Sequence, residues 1–258
     1  MKMNPIPNLD PEPTRNPLLK SQDSDSQLSS LSVVIPVYNE RETVLELVDR
    51  VRAVPFVKEI IVVDDGSTDG TAEILESLNA DSHLQILHHA DNRGKGAAVK
   101  TGFLKTTGDI VLIQDADLEY DPKDYELLLQ PIVNGDVDVV YGSRFLSSRS
   151  RSSLTFWQGL ANRSLTLLSN ALTGLRLTDM ETGYKVFRQK VVRQLAPGLK
   201  QQRFGIEPEL TAKVARGGYR LQEVAINYKA RNREQGKKIG WLDGLKALWC
   251  ILRYSRWD

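Results

Sequence analysis

Two carboxylates one residue apart, Asp115 and Asp117, stand at the end of the apolar run Ile110-Val111-Leu112-Ile113. The run has the length of a buried strand, and ligands of open α/β sheets bind beyond the carboxyl ends of strands. On an extended segment, residues two apart point the same way, so both side chains can reach one ion. Hard divalent cations, Mg2+ or Mn2+, take oxygen ligands and combine one or two carboxylates with substrate phosphates. The pair is therefore expected to hold a metal-bound diphosphate. The competing role for an Asp here is to cap the helix that begins at Pro122. A D-x-D by itself does not separate the two roles.

The elements that must position this pair alternate along the chain. Ser32-Val33-Val34-Ile35 reads as a strand that stops at Pro36. Glu42 to Val54 has apolar residues at helical spacing. Glu59 to Val63 is a second strand ending in Asp64-Asp65-Gly66-Ser67, Thr71 to Leu78 a helix and Leu84 to Leu87 a third strand. Gly96 to Lys105 is a helix before the D-x-D strand, Tyr125 to Gln130 another after it, and Val137 to Tyr141 a fifth strand. Such alternation implies βαβ units, a mostly parallel sheet and helices on both faces. Polar clusters then share one sheet edge: Pro36 to Glu40, Asp64-Asp65, Asp115 to Asp117, and Gly142-Ser143-Arg144.

Composition narrows the classes. The chain of 258 residues has a formal net charge of +1, which gives no reason to expect nucleic acid. From Lys200 onward, 13 Lys and Arg face 6 Asp and Glu, so that region is basic. Residues 1–30, rich in Pro, Ser, Asn and Asp, read as a disordered tail and not as a signal peptide. Cys250 is the only cysteine, which excludes an intrachain disulfide and suits a reducing compartment. No apolar run is long enough to span a bilayer. Asn92-Arg93-Gly94-Lys95-Gly96 lacks both the G-x-G-x-x-G spacing after a strand and the Gly-Lys-Ser/Thr ending of a P-loop. It can still bring backbone N–H groups and Lys95 near a phosphate, or simply cap a helix. His83, His88 and His89 read as surface or packing residues.

Four motifs taken together, Val34-Ile-Pro-Val-Tyr-Asn-Glu40, Val62-Val-Asp-Asp-Gly-Ser67, Asn92-Arg-Gly-Lys-Gly96 and Asp115-Ala-Asp-Leu118, resemble the inverting glycosyltransferases of the GT-A fold. The resemblance is to dolichyl-phosphate mannose and glucose synthases and their polyprenyl-phosphate relatives. Gly142-Ser-Arg-Phe145, Thr182-Gly-Tyr-Lys-Val-Phe187 and the 231–240 stretch extend it over nearly everything after residue 30. It implies a catalytic domain over 31–199, with 200–258 a basic C-terminal part of the same fold. It also implies roles. Pro36, Tyr38 and Glu40, completed by Val62 and Asp64, would line the base and ribose. Asp115, Asp117 and the Ala116 backbone would bind metal and diphosphate. Arg144 would face phosphates, and Asp179 would lie near the acceptor. Arg231 and Lys238 (or Lys237) would belong to a basic loop closing over the donor. Glu119 departs from the pattern as a third carboxylate that either tightens metal binding or faces water.

The implied reaction moves a hexose from GDP-mannose or UDP-glucose to a polyprenyl phosphate. Nucleotide departure develops negative charge, which a metal and cations stabilise. A phosphate acceptor is already anionic, whereas an alcohol acceptor needs a general base, for which Asp179 and Glu181 are the candidates. A soluble or saccharide hydroxyl acceptor, or a binding module without turnover, are the alternatives. Trp241 to Trp257 places Trp241, Leu242, Leu245, Leu248, Trp249 and Leu252 on one helical face beside Lys246, Arg253 and Arg256. That face suits either peripheral contact with the cytoplasmic face of a membrane, a membrane partner protein, or packing on the domain.

Overall fold

Largely apolar runs become seven strands of one sheet among the described residues. They are β1 (Leu31–Val37), β2 (Val57–Asp64), β3 (Leu84–His88), β4 (Ile110–Ile113), β5 (Val139–Ser143), β6 (Lys185–Arg188) and β7 (Leu221–Ala225). Their order is β3-β2-β1-β4-β6-β5-β7. The computed structural model describes residues 30–78, 83–147, 156–231 and 241–256. Pairing is parallel except at β6, which runs antiparallel between β4 and β5. The C-terminal ends of β1, β2, β4 and β5 therefore share one edge.

Alternation along each strand sends side chains to two cores. Val33 and Ile35 of β1 and Ile110 and Leu112 of β4 join α1 (Val44–Arg52), α2 (Thr71–Ser77) and α4 (Tyr125–Val133) on one face. Val34, Val111 and Ile113 join α3 (Lys95–Phe103), α6 (Gln189–Leu195) and α7 (Ile206–Arg216) on the other. α5 (Phe156–Thr173) and α8 (Trp241–Arg256) lie outside α7 on that second face. β4 is buried along its whole length, as its unbroken apolar run requires. The segment after residue 200 supplies α7 and β7 to the same core and sheet.

Several boundaries differ from the sequence reading. β1 does not stop at Pro36 but continues to Val37, with Pro36 opposite Val63 of β2. β4 leaves the ladder after Ile113, opposite Val34, so the missing proline donor breaks no bond on that side. β5 spans Val139–Ser143, which places Gly142 and Ser143 inside the strand and only Arg144 beyond it. Ser30 is not part of a loose tail: its N–H and hydroxyl both donate to Asp109 at 3.0 Å. Residues 1–29, Lys237 and Lys238 lie outside the described residues.

The α8 helix carries two apolar stripes. Ala247, Cys250, Ile251 and Tyr254 pack inward, whereas Leu245, Leu248, Trp249 and Leu252 are exposed. No described helix is long and apolar enough to cross a membrane.

Candidate active site

Asp115 and Asp117 do meet at the shared edge, but not on an extended segment. The chain turns after Gln114, and Leu118 takes a left-handed φ of 58°. Gln114 braces the turn. Its amide donates to the Asp115 carbonyl at 2.9 Å, and its oxygen accepts from the hydroxyls of Tyr125 and Tyr184 at 2.8 and 2.7 Å. Gly183 lies against the Asp115 carboxylate, where a Cβ would collide with it.

Each carboxylate faces a protein cation. Lys95 Nζ lies 2.7 Å from Asp115 Oδ1 and 2.9 Å from Glu207 Oε1. Lys185, fully buried, contacts the other Glu207 oxygen and donates to the Met180 and Thr182 carbonyls. Burial opposes the Lys95 charge, but Asp115 and Glu207 more than offset it and hold its pKa above the usual lysine value. Burial likewise opposes charge on Glu207, yet Lys185 and Lys95 hold it below the usual carboxyl range. Arg231 reaches Asp117 Oδ2 at 3.2 Å and forks onto Glu40 at 2.9 and 3.1 Å. Burial, then the neighbouring charges of Asp115 and Glu119, push the Asp117 carboxyl up to about 7 despite Arg231.

Glu119 is half-buried, and its charge bears on Asp117. It accepts from the Tyr228 hydroxyl at 2.6 Å and the Arg231 N–H at 2.8 Å, and so anchors the segment bearing Arg231. Arg144 is buried and forks onto Asp179, with Nε and Nη2 both at 2.7 Å, over the Tyr228 ring. Asp179 also accepts the Arg144 N–H at 3.0 Å. With both oxygens engaged by one arginine, Asp179 is badly placed as a general base. Glu181 differs: its Oε1 is buried with no hydrogen-bond partner among the described residues. Burial and the charge of Glu207, partly offset by Lys185 and Arg144, raise its carboxyl to about 7.

The residues expected to line the base and ribose lie at the ends of β1 and β2. Pro36, Tyr38 and Glu40 are half-buried at the end of β1, and Ala116 is buried in the turn. The Glu40 N–H donates to Thr71, and Asn39 and Ser67 tie the two loops together. Val62 is wholly enclosed in the core, two residues short of the strand end, and adds no surface to a pocket. Asp64 accepts from the Ser67 N–H at 3.2 Å and lies 3.2 Å from His88 Nδ1. The histidines are also not bystanders. His89 bridges Asp65, at 2.6 Å, and Thr101, at 2.9 Å, and Asp65 accepts the Arg93 and Gly94 N–H groups at 3.1 and 2.5 Å. This clamp shapes the turn that presents Lys95. Register decides it, because β2 and β3 bring Asp64 opposite His88. A sequence signal for the buried cation network was Lys185, set directly before the apolar pair Val186-Phe187.

The donor set fits a hard divalent cation. The charge of Asp115 raises the cost of ionising Asp117 beside it, and a dication would relieve it. Among the described residues no group of three or more His, Cys, Asp or Glu could hold a metal. The remaining positions would fall to diphosphate and water, as such cations take them.

Comparison with known proteins agrees with this fold. The Glycosyl transferase family 2 domain matches residues 32–196. The chain is 27% identical over 237 residues to undecaprenyl-phosphate mannosyltransferase of Micrococcus luteus, covering 87% of this chain and 95% of that one. It is 31% identical over 233 residues to dolichol-phosphate mannosyltransferase of Pyrococcus furiosus, covering 88% and 64%. Among solved structures, glucosyl-3-phosphoglycerate synthase from Mycobacterium tuberculosis with Mn2+, UDP and phosphoglyceric acid superposes with a TM-score of 0.64 at 20% identity, over 88% of this chain and 79% of that one. Mannosyl-3-phosphoglycerate synthase from Rubrobacter xylanophilus gives 0.66 at 21%, over 88% and 72%. A GT-A α/β sheet with a D-x-D turn at its carboxyl edge, matched by the family domain over most of its length, makes this chain a glycosyltransferase of glycosyl transferase family 2.

Proposed function

We propose that this glycosyltransferase moves a hexose, mannose or glucose, from GDP-mannose or UDP-glucose to a polyprenyl or dolichyl phosphate, with inversion. The observation that carries the reading is the meeting of Asp115 and Asp117 with Lys95 and Arg231 at one sheet edge. Mn2+ or Mg2+ would be held by Asp115 and Asp117 and would supply electrostatic stabilisation to the departing diphosphate. Pro36, Tyr38, Glu40 and Asp64 would line the base and ribose. Arg231 approaches the same edge from the C-terminal segment, with Lys238 in the stretch that follows it.

The acceptor oxygen attacks the anomeric carbon as the bond to the diphosphate oxygen breaks, and the electron pair leaves with the nucleotide. A phosphate monoester, with a second pKa near 6, is largely a dianion at neutral pH and needs no base. That suits Asp179, whose oxygens serve Arg144. Arg144, its guanidinium over the Tyr228 ring, would face the acceptor phosphate. The undecaprenyl- and dolichol-phosphate specificities of the relatives support this acceptor class. The exposed stripe of Leu245, Leu248, Trp249 and Leu252, flanked by Lys246 and Arg253, supports peripheral contact with the cytoplasmic face of a membrane.

The test is a donor panel with Mg2+ or Mn2+ and a short polyprenyl phosphate, scoring nucleotide release and organic-extractable sugar together. Both signals are expected with one donor, and Asp117→Ala should lower them roughly a hundredfold or more, matching several kcal/mol of charge stabilisation. Sugar reaching only a soluble hydroxyl acceptor overturns the acceptor. Donor binding without nucleotide release overturns the enzymatic reading.

A further inference from the structure

Lys95 begins α3 behind a turn that leaves little freedom to its backbone. Asp65 takes the two preceding N–H groups, and a Cβ at Gly94 or Gly96 would strike the backbone of residues 201–203. The stem beyond is four flexible carbons ending in a point charge. That charge rests on Asp115 and Glu207. Glu207 has a second cation in Lys185, so it keeps a counter-charge when Lys95 moves. Asp115 has no other ion-pair partner among the described residues. Arg231 stands in the same relation to Asp117, with Glu40 as its second anchor.

We propose that Lys95 is a ligand of the donor diphosphate, held in reserve on Asp115, and that donor and metal exchange ions with it. The dication takes the carboxylate that Lys95 leaves, and the diphosphate takes the ammonium. This rests on the nucleotide-sugar reading above. A dication arriving alone must displace Lys95 with nothing to receive it, so it binds weakly. A dication arriving with a diphosphate finds both exchanges matched, so the two bind cooperatively. Removing the ammonium then has opposite effects on the two equilibria, whereas a lysine that only supports the fold would weaken both.

The experiment uses the full chain and Mn2+ binding followed by electron paramagnetic resonance, alone and with UDP or GDP. Lys95→Met should bind Mn2+ alone about tenfold more tightly and Mn2+ with the nucleotide about tenfold more weakly, within the usual span of coupling between sites. Lys95→Arg, which keeps the charge, should restore the wild-type order of both affinities. Lys95→Gln leaves a polar group for Glu207 and should give the same two signs as Met, which covers a Met variant that does not fold. Affinities that move in the same direction, or not at all, overturn the proposal while the function stands. A wild-type chain that takes up neither nucleotide with Mn2+ overturns the function and the proposal together.

Discussion

Glu181→Gln should make the protein more stable at pH 8 and leave it nearly unchanged at pH 4. Burial and Glu207 raise the Glu181 carboxyl from 4.5 to about 7 in the folded chain, so the native state holds a proton that the unfolded chain has released. Stability from this group is complete below the unfolded value near 4.5 and is lost as pH rises through about 7. Each tenfold change in proton affinity is about 1.4 kcal/mol, which puts the loss at roughly 3 kcal/mol. Gln keeps the shape and a hydrogen-bonding oxygen without the charge. Urea unfolding from pH 4 to pH 8 in EDTA measures the difference, and the chelator leaves the Asp117 contribution common to both proteins. Parallel stability curves, or a variant weaker than wild type at pH 8, would refute the burial argument. For a chain of this size the expected gain corresponds to roughly 2–4 °C in Tm per kcal/mol.

Two further perturbations probe the supports of the site. Gly183→Ala places a methyl against the Asp115 carboxylate. Overpacking of this kind costs about 1–3 kcal/mol, and the displaced carboxylate should lower hexose transfer well beyond the loss in Tm; unchanged turnover would show that Asp115 tolerates displacement. His89→Ala removes the bridge between Asp65 and Thr101 and should cost about 1–3 kcal/mol, the usual effect of stranding a buried polar group. Hydrogen exchange should speed up at the Arg93 and Gly94 amides, and wild-type protection there would show that Asp65 holds the turn without His89.

Much of the scaffold was legible in the sequence because it depends on local patterns. The apolar run of β4, the helical spacing of Val44, Leu47, Val48 and Val51, and the polar clusters after β1, β2 and β4 each follow from short-range periodicity. Pro36 misled because a proline ends a strand only where its N–H is needed, and that depends on a neighbouring strand about 75 residues away in sequence. The histidines misled for a similar reason: nothing in His88-His89 itself reveals that β3 lies beside Asp64-Asp65.

The sequence by itself determined the α/β class, the edge at which the carboxylates gather, and Asp115 and Asp117 as the focus of that edge. Only the tertiary structure decided which cation each carboxylate faces, that Asp179 is committed to Arg144, and that Glu181 keeps an oxygen unpartnered among the described residues. The physical reason is range. Periodicity and turn chemistry are written within a few residues, whereas Lys95 and Glu207, or Asp117 and Arg231, become neighbours only once the sheet has set their register and burial has made an unpaired charge costly.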